Sequence, residues 1–180
     1  RDVERSRGLG DVYKGQGYML VGVIALISTS SAGSTTLFYV IGYAITNLTV
    51  FFCLQHIINL TQSSSIDSLK GLFHTYPLVS IMLTVSILSL LGIPATVGFM
   101  GKVLVFSSAV DNGLAWLAIV GVINSFISAY YYLGILRNIF MSSEKFEQKS
   151  NSNNNYILVA SLSSLIVLVL GIFPDALLSV

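Results

Sequence analysis

Five apolar runs parted by polar loops constrain this chain more than any other feature it carries. A bilayer core of ~30 Å takes ~20 apolar residues wound as a helix. The runs cover about 17–30, which is short, then 34–60, 77–110, 114–141 and 156–172, the last closed by Pro174 and Asp175. Lipid offers nothing to hydrogen-bond with an open backbone, so each run reads as helix. Composition agrees: 54% of the 180 residues are hydrophobic and only 9% are charged. A water-soluble domain carries roughly 25% charged residues. The fold class expected is all-α, a polytopic transmembrane helix bundle of about five helices, with the lipid bilayer as its first partner. The net charge of +1 and the scattered basic residues exclude nucleic acid. The single cysteine, Cys53, forms neither an internal disulfide nor a zinc site and reads as a small buried hydrophobe. With no phosphate loop, nucleophile triad, metal-ligand cluster or haem-type histidine pair, no metal and no cofactor are expected in this chain.

Lysine and arginine set the orientation. Threading the five runs through a membrane puts Arg1, Arg5, Arg7, Lys14, Lys70, Arg137, Lys145 and Lys149 on one side and no basic residue on the other. That side is cytoplasm, matrix or stroma. A bacterial inner membrane is favoured over an organelle membrane, with the C-terminus periplasmic. Residues 1–16 read as a non-native or disordered leader ahead of a transmembrane domain over 17–180. Either a polar extension meets a short helix, or foreign sequence interrupts a longer one; the second is favoured.

The third run is 34 residues long, ~50 Å as a straight helix. Gly92-Ile93-Pro94 supplies a break at 92–94, because proline lacks an N–H and clashes with the preceding turn. A broken helix at membrane depth belongs inside protein or against a water-filled cavity. A simple proline kink is the bland alternative. Lys102 weighs against it. It lies eight residues after Pro94 and eight before Val110, where a charge costs ~2.5–3.5 kcal/mol on insertion scales. A buried amine can gain and lose a proton; arginine stays charged. The rival reading is a lysine whose head snorkels to the interface. Gly98 and Gly101 keep the surface beside Lys102 small. No intramembrane carboxylate is at hand, since Asp67, Asp111 and Asp175 lie at ends or in loops.

Other polar residues carry weaker signals. Asn124 and Ser128 are one turn apart in the fourth run and share a face; they glue helices together or hold water near Lys102. His56 is a candidate proton shuttle or an interfacial histidine. His74 reads as solvated, and Tyr130, Tyr131, Tyr132 and Trp116 as interfacial anchors.

GIPATVGFMGKVLVF, then WLAIVGVINSFISAYYYLGILRNIFM, resembles the antiporter-like, proton-translocating subunit N of respiratory complex I, subunit 2 in mitochondria and chloroplasts. GYMLVGVIA, IDSLKGLFHTYP and LVLGIFPDALLSV are similar to that family's glycine-tyrosine helix, the loop before its broken helix and its last helix. The resemblance covers nearly everything from Gly17 to Val180. It implies a fold of two inverted five-helix repeats, of which this chain holds most of the second plus the last helix, as a C-terminal fragment that would not pump alone. It implies a subunit of NADH–quinone oxidoreductase, partnered by other membrane-arm subunits. NADH, FMN, iron–sulfur clusters and quinone would be bound by those other subunits. Lys102 matches the family's ionisable lysine in the second broken helix, the terminal proton relay, and Gly92 and Pro94 its helix break. Mrp-type cation/proton antiporters share the pattern and stand as the alternative. A purely structural scaffold is the third reading.

Overall fold

The computed structural model describes residues 17, 19–20, 32–141 and 155–178. The leader at 1–16 and most of the first run lie outside the described residues. The described part is helical, with no strand among the described residues, and the chain is a membrane protein. Its helices are α1 (Ala32–Thr61), α2 (Pro77–Leu91), α3 (Val97–Asp111), α4 (Ala115–Met141) and α5 (Asn155–Ile172). Short helical turns at Ile66–Leu69, Leu72–Thr75 and Asp175–Leu178 sit in the connections. Among the described residues, three helices are long and apolar enough to cross a membrane, namely α1, α4 and α5. Each half of the broken pair, α2 and α3, has 15 residues, ~22 Å as a helix, so neither crosses alone.

The central helix is α1, which packs against α5, α3 and α2. Its buried seam runs Tyr39, Gly42, Thr46, Thr49, Cys53, His56, Leu60. These residues are spaced alternately by three and four, the interval that keeps one helical stripe facing its neighbours. At one end of the bundle, Cys53, Ile57, Leu69, Leu72, Val79, Leu83 and Ile139 form the largest apolar cluster. Tyr39, Val105 and Ala109 pack at the other end. The Phe73 and Phe140 rings, 4.8 Å apart, tie the connection carrying Lys70 to the end of α4 carrying Arg137. Trp116 is exposed at the opposite end of α4. Helix α4 is peripheral: it buries Ala118, Gly121, Ser128, Tyr132 and Ile139 along one stripe and leaves Phe126, Ile123 and Leu133 exposed. An apolar exterior of this kind is what lipid or a neighbouring helix covers.

This arrangement predicts that α2 and α3 together make one crossing. Ser68→Cys, before α2, and Asp111→Cys, at the last residue of α3, are expected to react with a membrane-impermeant maleimide from opposite faces. Labelling of both from one face contradicts the single crossing.

Candidate functional site: a lysine held at a helix break

Helix α2 begins with Pro77 in its first turn, where a missing N–H costs nothing. It ends at Gly92, whose φ of 86° lies in the left-handed region that favours glycine. The Gly92 N–H donates to Ser89 O at 3.0 Å and the Ile93 N–H to Leu88 O at 3.0 Å. This paired closure is the Schellman pattern. It leaves the carbonyls of Leu90 and Leu91 still facing out of the helix end. The chain then turns at Pro94 and Ala95, with Ala95 at φ 70°, the sign that a type II turn requires of its second central residue. The Thr96 hydroxyl donates to Ile93 O at 2.6 Å and closes the turn. The break therefore runs from Gly92 to Thr96, two residues beyond the 92–94 expected. Pro94 shapes the turn, outside either helix, and is exposed.

Lys102, on α3, is 8% exposed. Its Nζ donates to Leu90 O at 2.7 Å and to Leu91 O at 2.9 Å. The snorkelling alternative fails on this geometry, because the amine turns into the protein and onto the carbonyls that the break left open. A cation there also meets the negative end of the α2 dipole. Gly92 leaves the space: a β-carbon on it would sit 3.0 Å from Nζ. The two half-helices lie side by side at this point, for a β-carbon on Gly98 would overlap the Ser89 carbonyl. Around them, α1 supplies Thr46, whose hydroxyl is 3.3 Å from that of Ser89. On α5, Gly171 packs onto the backbone of Ala95 and Thr96 so closely that a β-carbon would overlap Thr96. The break is thus walled by protein on these sides, as its open backbone demands.

The remaining candidates are spread out. His56 is buried, 3% exposed, with its ring 6.2 Å from that of Tyr76 in edge contact. Tyr76 immediately precedes α2, whereas Lys102 reaches its far end, so His56 and the amine lie roughly 20 Å apart along α2. Ser128 is buried and donates to Asn124 O at 3.0 Å, while Asn124 itself is exposed on α4. Cys53 is buried and His74 exposed. Among the described residues, no group of three or more His, Cys, Asp or Glu is placed to hold a metal ion.

Residues 15–128 match the family described as NADH:quinone oxidoreductase/Mrp antiporter, TM. The chain belongs to this family. It is 39% identical over 148 residues to NADH-quinone oxidoreductase subunit N of Chlorobium chlorochromatii, covering 81% of this chain and 28% of that one. It is 35% identical over 175 residues to subunit N 2 of Solidesulfovibrio magneticus, covering 97% and 36%. The chain spans about a third of the length of the curated relatives it matches. Its fold is similar to a chain of respiratory complex I from Thermus thermophilus, with a TM-score of 0.67 at 22% identity over 96% of this chain and 45% of that one. It is equally similar to a chain of the Mrp complex from Dietzia sp. DQ12-45-1b, with a TM-score of 0.67 at 20% identity over 97% and 46%.

In this NADH:quinone oxidoreductase/Mrp antiporter family member, sequence reasoning passed over Ser80, Ser86 and Ser89, all fully buried on α2. Each looked like an ordinary serine in an apolar run. Ser80 and Ser86 return their protons to carbonyls four residues back, the usual way a membrane helix absorbs a hydroxyl. Ser89 does something else, and only its contacts reveal it.

Proposed function

We propose that this chain works as a membrane subunit of the subunit N kind in a proton-translocating NADH:quinone oxidoreductase, with Lys102 as a proton carrier. One observation carries the reading: a buried amine held on two backbone carbonyls at a helix break. The protonated amine is stabilised there by two charge-assisted hydrogen bonds and a helix C-terminus. The neutral amine loses most of that attraction. A charge or conformational change elsewhere in the complex therefore shifts the balance between the two forms, and the proton leaves along water. Gly92 and Pro94 keep the helix open, and Thr46, Thr49 and His56 line one seam of α1 along which water can be ordered. NADH, FMN, iron–sulfur clusters and quinone are assigned to other subunits, and the partners to the rest of the membrane arm. The Lys70 and Arg137 end is assigned to the cytoplasm of a bacterial cell, with the C-terminus periplasmic.

The test uses inverted membrane vesicles holding the full-length protein in its complex. NADH-driven proton uptake that needs no sodium supports this reading. The likeness to the Mrp complex favours a second one, a cation/proton antiporter subunit. Sodium-dependent proton exchange without NADH would establish that instead.

A further inference from the structure

The two half-helices cap each other. Helix α3 starts after Thr96, but the Thr96 side chain makes no capping bond, its proton going to Ile93 O. The first-turn N–H groups of a helix have no partner within it. That of Gly98 is received by Ser89 Oγ, from the last turn of α2, at 3.1 Å. In return, Lys102 of α3 fills Leu90 O and Leu91 O at the end of α2. The direction of the remaining contact follows from proton counting, since a hydroxyl has one proton to give. Thr46 donates its own to Gly42 O at 2.7 Å. In the 3.3 Å contact between Thr46 and Ser89, Ser89 is therefore the donor. The chain runs from the Gly98 N–H to Ser89, from Ser89 to Thr46, and from Thr46 to the Gly42 carbonyl. It crosses from α3 through α2 to α1, and both hydroxyls are fully buried.

We propose that Ser89 is the positioning residue of the lysine site. By holding the first turn of α3 against the last turn of α2, and both against Thr46 of α1, it fixes the distance from the Lys102 amine to its two carbonyls. This rests on the reading of Lys102 as a proton carrier.

The experiment compares Ser89→Ala, Thr46→Val and Thr46→Ser with Lys102→Ala in the full-length protein, after checking assembly. Proton uptake is followed against pH. Ser89→Ala is expected to lower uptake about fivefold or more, the scale of one buried hydrogen bond, and to displace the pH profile. Thr46→Val, which keeps shape but removes the hydroxyl, is expected to do the same more weakly, and Thr46→Ser to restore wild-type behaviour. If Lys102→Ala is inactive while Ser89→Ala and Thr46→Val keep the wild-type rate and profile, the positioning role falls and the carrier survives. If Lys102→Ala pumps like wild type, the carrier reading falls and takes this proposal with it.

Discussion

Lys102→Ala in the full-length protein is expected to leave assembly intact and to cut NADH-driven proton uptake and electron transfer together, by at least about tenfold. A positioned proton-transferring side chain is typically worth ~10²–10⁴ in rate, and water entering the vacated space offsets part of that. The two rates fall together because a coupled carrier that cannot load also stalls the step that drives it. Alanine removes a carrier and a helix cap at once, so a companion variant separates them. Lys102→Arg keeps a permanent cation that can donate to the Leu90 and Leu91 carbonyls but does not release its proton. It is expected to assemble and to pump as poorly as the alanine variant. Arginine that pumps normally would make Lys102 a cap and nothing more. Alanine that leaves both rates unchanged would mean that pumping needs neither the carrier nor the cap.

Gly98→Ala is expected to be the most disruptive single methyl in the described chain. The added carbon would overlap the Ser89 carbonyl, and that oxygen is backbone, already accepting the Gly92 N–H. No rotamer change relieves it. Overpacking of this kind costs typically 1–3 kcal/mol, and here about 3 kcal/mol or more is expected because the two half-helices must separate. The measurable result is loss of the assembled protein from membranes. Gly134→Ala is the control. A β-carbon at that position meets nothing within 4 Å, and its effect should be neutral or stabilising by up to about 1 kcal/mol, from the helix propensity of alanine. Equal accumulation of the two variants would contradict the side-by-side packing of α2 and α3.

The contrast between these two glycines shows where sequence reasoning stops. Both sit in apolar helices with similar neighbours in the chain, and nothing local marks Gly98 as the one beneath a carbonyl. The same holds for the serines of α2. Ser80 and Ser86 bond within their own helix, whereas Ser89 caps another, and a hydroxyl in an apolar run looks identical in each case. Lys102 was legible as a buried ionisable group and His56 as a shuttle or an interfacial histidine, but neither the burial of His56 nor its separation from Lys102 along α2 was.

The sequence by itself determined the membrane-spanning helical class, because lipid leaves an apolar run no other way to satisfy its backbone. It pointed to a break or kink in the third run near Pro94, because a proline inside a helical run removes a hydrogen bond and clashes with the preceding turn. It also marked Lys102, since a charge in an apolar run carries its cost in any fold. Tertiary structure decided what receives that charge. No carboxylate was in sight along the chain, and the acceptors are backbone oxygens eleven and twelve residues away. Every residue carries such an oxygen, so no side chain announces it. It becomes a ligand only when a break strips it of its helical partner and packing brings the amine within reach.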